Sequence, residues 1–263
     1  MVNRKPVVLD KNASLSEVLE AIRRHGISHV LLKRDGEYWG VLSEKDMLFK
    51  LGSARTWNVD LSHLRASSFA NQPIIGVPPE GSLVDAAKKM VEEEIGFLLV
   101  GDGIVTKQDI VAAVAKRYGN ISVSQVMSRN VISVGLDESF LRARDILMKY
   151  RYSALPVMDS GRVVGLVTDV DMLLHMAVVY EKVEWRYREH KARLTLVSDV
   201  YRRSVASLHP DESAAQAAQM LAGGEKAVLV MDGEELSGIV TKTDILTLFL
   251  ADELGRMERT QTR

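Results

Sequence analysis

The sequence predicts an α+β fold (α/β in the broad sense) built from four copies of one β-α-β-β-α unit. Three observations carry this. A seven-residue signature, Gly-apolar-apolar-hydroxyl-x-x-Asp, occurs four times: GVLSEKD at 40–46, GIVTKQD at 103–109, GLVTDVD at 165–171 and GIVTKTD at 238–244. Its final aspartates, Asp46, Asp109, Asp171 and Asp244, recur at spacings of 63, 62 and 73 residues, a nearly regular period with one insertion before the last copy. A serine that opens a helical pattern precedes each signature, Ser14, Ser82, Ser139 and Ser213 standing 32, 27, 32 and 31 residues ahead of the aspartate.

Each unit opens on a short extended run: PVVLD from Pro6, PIIGV from Pro73, VISVG from Val131 and VASLH from Val205. The serine-led helix follows. In the first copy Leu15, Val18, Leu19 and Ile22 recur at helical spacing, and Ser14 with Glu17 forms a capping box. Two apolar runs broken by a turn come next, as in HVLLKRDGEYWGVLS, and Asp-Gly or Ser-Gly between β-branched runs reads as a hairpin. The second copy, FLLVGDGIVT, has the tightest turn, which accounts for its shorter spacing. A second helix then begins at the hydroxyl residue of the signature, with apolar pairs such as Met47 and Leu48 or Met172 and Leu173. The repeats divide as 1–60, 61–120, 121–180 and 195–256, with a linker helix at 181–194 and a tail at 257–263.

Composition bounds the function. With 34 Lys plus Arg against 35 Asp plus Glu the net charge is -1, so no global field draws in nucleic acid or an anionic membrane. The chain has no cysteine, which excludes disulfides, thiolate nucleophiles and Cys-ligated zinc, and fits a reducing compartment. The N-terminus MVNRKPVVLD lacks the apolar core of a signal peptide, and no apolar run reaches the roughly 18–20 residues of a membrane span. A cytoplasmic location is expected. The six histidines show no metal-ligand spacing, and no nucleophile elbow or P-loop is written, so neither a metal site nor catalysis is expected.

Two readings of the signature stay open. Hydroxyl-x-x-Asp is a capping-box variant, in which the hydroxyl and the carboxylate satisfy the first N–H groups of the helix. The same helix start suits phosphate, with the Thr hydroxyl as an additional donor, and an Asp turned outward can accept from the two hydroxyls of a ribose. Capping alone would accept Glu equally well, yet all four copies carry Asp.

Together with the SALPV stretch at 153–157, the fourfold unit and its signature resemble CBS domains, the repeats named for cystathionine β-synthase. The resemblance runs from residue 6 to about 250 and is closest in copy three, VSQVMSRNVISV through GLVTDVD. Copy one departs in having Ser43 for Thr, and copies one, two and four lack the proline of SALPV. The resemblance implies that consecutive repeats pair about a pseudo-twofold axis into two Bateman modules, 1–120 and 121–256, whose clefts bind adenosine compounds: AMP, ADP, ATP, S-adenosylmethionine or NAD. It implies that Asp46, Asp109, Asp171 and Asp244 hold ribose hydroxyls and that Ser43, Thr106, Thr168 and Thr241 sit by ribose or phosphate. By the same resemblance Ile132, Ser133, Val134, Ser153, Ala154 and Pro156 line an adenine pocket, matched in copy four by Ala206, Ser207, Leu208, Lys226, Ala227 and Val228. Lys45 occupies a place where the family often has a basic residue, while Gln108, Val170 and Thr243 stand there in the other copies. The second module is the preferred nucleotide site.

The expected function is a non-catalytic sensor that binds an adenine nucleotide and signals in trans, to a protein partner or within a homodimer. Two alternatives stand beside it. One is a scaffold with empty clefts. The other is a nucleic-acid binder that uses YEKVEWRYREHKARL from Tyr180, where Trp185, Arg186, Tyr187, Arg188, His190, Lys191 and Arg193 interleave aromatic and basic side chains. Glu181, Glu184 and Glu189 interrupt that run and favour an ordinary exposed helix, so nucleic acid is not the expected partner.

Overall fold

The computed structural model describes residues 5–261, with side chains described as far as residue 256. The first repeat runs β1 (Val8–Asp10), α1 (Leu15–His25), β2 (His29–Arg34), β3 (Glu37–Ser43) and α2 (Glu44–Lys50). The second has α3 (Leu83–Glu92), β4 (Phe97–Val100), β5 (Gly103–Thr106) and α4 (Lys107–Val114). The third runs β6 (Val134–Gly135), α5 (Phe140–Tyr150), β7 (Ala154–Asp159), β8 (Arg162–Thr168) and α6 (Asp169–Lys182), followed by a connecting helix α7 (Trp185–Leu194). The fourth runs β9 (Ser207–Leu208), α8 (Ala214–Ala222), β10 (Ala227–Asp232), β11 (Glu235–Thr241) and α9 (Lys242–Gln261).

In repeats 1, 3 and 4 the first strand pairs parallel with the second, across the helix, and the second pairs antiparallel with the third. In repeats 1 and 3 the hairpins turn at the expected Asp-Gly and Ser-Gly, whereas repeats 2 and 4 turn at Gly101-Asp102 and Gly233-Glu234. Asp35 and Gly36 have φ of 51° and 88°, Ser160 and Gly161 φ of 50° and 81°, the double positive φ that matches the twist of the flanking strands. Repeat 2 differs from expectation. Its PIIGV run contributes only a bridge, Gly76 to Leu99, so its sheet is the two-stranded β4–β5.

The predicted serine caps are in place. Ser14 Oγ accepts from the Glu17 N–H at 3.2 Å, while Glu17 Oε2 accepts from the Ser14 N–H at 2.7 Å. The Ser14 N–H and hydroxyl, both donating to Oε2, hold the Glu17 carboxyl below its usual pKa. Ser82 with Asp85 and Ser213 with Gln216 repeat the box, and Ser139 caps α5 through the Arg142 N–H. The apolar stripe of α1 is buried throughout, Leu15 and Val18 completely.

The chain forms two compact units, each made of two non-adjacent repeats: residues 6–74 with 133–203, and Ile75–Ile132 with Ser204 onward. In the first, α2 packs on α6 and α5, and α7 packs on both α5 and α6. In the second, α4 packs on α8 and α9, and α3 on α9. The apolar residues of the second helices are buried in these packings. Met47, Leu48, Met172 and Leu173 are at most 1% exposed. Compact units of repeats 1 with 3 and 2 with 4 therefore differ from the expected division at 120. The chain changes unit at 74/75, 132/133 and 203/204, so the residues ahead of the second, third and fourth extended runs pack away from the body of their own repeat.

The linker helix is also redrawn. Residues 181 and 182 belong to α6, the chain breaks at Val183 and Glu184, and α7 begins at Trp185. Arg188, grouped above with the exposed cations, is 4% exposed. Its guanidinium donates to the carbonyls of Val183, Trp57, Val59 and Tyr180 and to Asp60, and lies over the Tyr180 ring, which stacks on Trp57. Arg186 is paired with Glu184 and Arg193 with Glu189. The interleaved run thus spends its best-placed arginine on the interior. At the C-terminus α9 runs through most of the expected tail, to Gln261.

Candidate functional site

The four signatures build four equivalent helix openings. Ser43, Thr106 and Thr168 sit in extended backbone as N-caps of α2, α4 and α6, and Thr241 immediately precedes α9. Each aspartate is the third helical residue. One carboxylate oxygen, Oδ2, accepts from the backbone N–H of the Ser or Thr at 2.9, 2.8, 3.1 and 2.7 Å in chain order. The same oxygen accepts from the hydroxyl at 2.5, 2.5, 2.6 and 2.6 Å. Capping is therefore present at every copy. A correction follows: the hydroxyl proton, expected to serve a phosphate, is donated to the neighbouring carboxylate, because an O–H···O⁻ bond of this length is charge-assisted and strong. Only lone pairs of that hydroxyl remain for a guest.

The second oxygen, Oδ1, faces the segment that arrives from elsewhere. Asn71 Nδ2 donates to Asp46 Oδ1 at 2.7 Å, Ser128 Oγ to Asp244 Oδ1 at 3.1 Å, and Arg202 Nε to Asp171 Oδ1 at 2.5 Å. Asp109 Oδ1 accepts no hydrogen bond among the described residues. The arriving arms are pinned by backbone: Asn71 bridges Val41, Arg202 bridges Leu166 and Ser128 bridges Ile239, each the residue after the signature glycine. This explains the glycine. A Cβ on Gly165 would lie 2.2 Å from the Arg202 carbonyl oxygen, and one on Gly238 would lie 2.4 Å from Met127 Sδ. The arm residues escaped the sequence reading, although each stands at one register. Arg202 and Ser128 lie six residues before Leu208 and Val134, which pair with Val230 and Val157 opposite the signature glycines. Repeat 1 has Asn3 at that register, before Leu9, and Asn3 lies outside the described residues.

Lys45 is held. Its Nζ donates to the Arg151 carbonyl at 2.9 Å and to Ser153 Oγ at 3.1 Å, so the opening of repeat 1 meets the end of α5. Gln108, at the same place in repeat 2, donates to the Ala222 carbonyl at the end of α8 at 2.8 Å. Val170 is half-buried, and Thr243 accepts from Lys107. The expected adenine wall is placed in part. Ser133, Val134, Ser153, Ala154 and Pro156 belong to one unit and Ile132 to the other. Ala154 and Pro156 are buried in β7, opposite Thr168 and Leu166. In repeat 4, Ala206 accepts from the Leu229 N–H, Ser207 is exposed, Lys226 is half-buried and Ala227 is fully buried. Leu208 and Val228 are buried in the apolar core. Among the described residues no group of three or more His, Asp or Glu is placed to hold a metal, and no helix is long and apolar enough to cross a membrane.

Comparison with known proteins decides the family. CBS domains match residues 1–53, 66–116, 123–178 and 197–251. The chain belongs to the CBS domain family. The second, third and fourth matched stretches begin ahead of Asn71, Ser128 and Arg202, so each of these arms belongs to its own repeat and docks on the neighbour's signature. An uncharacterized protein of Methanocaldococcus jannaschii is 26% identical over 265 residues, covering 96% of this chain, which spans 61% of that relative's length. Among solved structures, a protein of the same organism described as a putative archaeal homolog of g-AMPK superposes with a TM-score of 0.82 at 15% identity, covering 94% of this chain and 97% of its own. An uncharacterized conserved protein from Pyrococcus horikoshii gives 0.62 at 21% identity, covering 94% and 99%. At these identities the likeness establishes the fold.

Proposed function

We propose that this CBS-domain protein is a non-catalytic regulatory sensor that binds an adenosine-containing nucleotide and signals in trans from the cytoplasm. The supporting observation is the divided carboxylate. At each opening Oδ2 caps the helix and Oδ1 points away from it, so capping and ribose binding use different oxygens and do not exclude one another. A ribose diol takes the place of Asn71, Arg202 or Ser128 on Oδ1, and meets no described occupant at Asp109. The docking of Ser128 on the fourth repeat's signature and of Arg202 on the third's supports the consecutive module 121–256 as a functional pair, and Asn71 on the first repeat's signature supports 1–120. A bound ligand shifts a conformational equilibrium of the chain only by its differential affinity for the two states. The regulated partner, a second copy or another protein, reads that shift.

Isothermal titration with AMP, ADP, ATP and S-adenosylmethionine tests this, with Asp171→Asn as the discriminating variant. Asn keeps an oxygen for the cap and presents an NH2 group where Oδ1 stood. The expected outcome is measurable binding by the wild type and loss of one class of site in the variant. No binding of any of the four compounds would remove the sensor reading in favour of the scaffold.

A further inference from the structure

The three described arms offer three chemistries to the same carboxylate oxygen: an amide from Asn71, a hydroxyl from Ser128 and a guanidinium from Arg202. We infer that Arg202 is a specificity-determining residue of the Asp171 site, selecting ligands that carry a phosphate over the corresponding nucleoside. This rests on the nucleotide reading above.

The geometry separates a fixed part from a free part. The Arg202 backbone is tied to Leu166 by two hydrogen bonds, Leu166 N–H to Arg202 O at 2.9 Å and Arg202 N–H to Leu166 O at 2.8 Å, and the glycine at 165 lets it lie flat on β8. The side chain is held only through Nε on Asp171; its Nη groups make no hydrogen bond among the described residues. Arg202 is 49% exposed and Asp171 13% exposed, so the anion is sheltered and the cation stands at the rim. A nucleoside would have to displace the guanidinium from Asp171 and return nothing to it. A nucleotide takes the carboxylate with its ribose and receives the guanidinium on its phosphate, where the Nη fork matches a phosphate in a bidentate pair. Asn71 and Ser128 bring no cation, and the sites of Asp46 and Asp244 gain no such preference from their arms.

The test is titration of the full chain with AMP and with adenosine, for wild type, Arg202→Ser and Arg202→Lys, the site being defined as the class lost in Asp171→Asn. Arg202→Ser places at this register the residue found at 128, and the backbone bridge keeps the arm in position. For the wild type, AMP should bind this site about tenfold or more tightly than adenosine, the size expected of charge-assisted bonds. In Arg202→Ser the ratio should fall to within about threefold, adenosine binding being unchanged or tighter, and Arg202→Lys should be intermediate because charge is kept and the fork lost. The wild-type preference should shrink as salt rises. An AMP-to-adenosine ratio unchanged in a folded Arg202→Ser protein overturns the assignment and leaves the nucleotide reading standing. Absence of binding by either compound overturns the assignment, and absence of binding by ADP, ATP and S-adenosylmethionine as well overturns both.

Discussion

Arg188 gives the sharpest stability prediction. Its side chain is 5% exposed and is surrounded by five acceptors: Val183 O at 3.1 Å, Trp57 O at 3.3 Å, Val59 O at 3.2 Å, Tyr180 O at 2.8 Å and Asp60. Truncation to alanine strands several of these carbonyls, each worth about 1–3 kcal/mol if left dry, and removes the cation that packs on Tyr180. Water reaches part of the gap because Asp60 is 61% exposed, which brings the sum down. Arg188→Ala is expected to cost about 3–5 kcal/mol, the range for breaking a buried, fully bonded charge. Asp60→Asn should cost about 1 kcal/mol or less, because the carboxylate is exposed and the carbonyl bonds survive. Urea denaturation followed by circular dichroism measures both, and the fluorescence of Trp57, stacked on Tyr180 at 5.7 Å, reports the local change. A loss below about 1 kcal/mol for Arg188→Ala, or equal losses for the two variants, would refute the internal role given to this arginine.

Further outcomes follow from the same contacts. Gly165→Ala should loosen the arm carrying Arg202, since the added carbon would sit 2.5 Å from the Tyr201 ring as well as against the backbone; faster amide exchange at Leu166 and Arg202 is the readout. Tyr118 has its hydroxyl buried with no hydrogen-bond partner among the described residues and its pKa pushed up to about 12 by burial, so Tyr118→Phe should leave stability unchanged or raise it by roughly 1 kcal/mol in thermal unfolding. Burial holds the His175 pKa below its ordinary 6.5, with Asp199 opposing and Lys191 assisting. The unfolded chain then binds the proton more tightly, so His175's contribution is full above pH 6.5 and is lost as pH falls through its folded value. His175→Gln should flatten that part of the stability–pH profile.

Local chemistry was legible in the sequence, and long-range chemistry was not. Serine caps and the turns of the first and third repeats are read within a few residues and lie where the letters put them, while two other hairpins turn one residue from their Asp-Gly. The pairing of Lys45 with Ser153, or of Arg188 with Asp60, joins residues more than 100 positions apart and leaves no periodic trace. Arg188 looked like its neighbours Arg186 and Arg193 because a buried arginine and a solvated one share a letter; only the loop at 57–60 distinguishes them. The aspartates posed the opposite difficulty. Capping and ligand binding predict the same residue; the structure shows the cap on Oδ2 and Arg202 on Oδ1, and the proposed ligand competes for Oδ1.

Native mass spectrometry of the wild type and of Asp171→Asn, each titrated with AMP, tests the division of the carboxylate most directly. The account predicts nucleotide-bound species for the wild type and one fewer bound nucleotide for the variant, with both proteins equally folded. Equal counts for the two, or no adduct on either, would show that the outward oxygen holds no sugar.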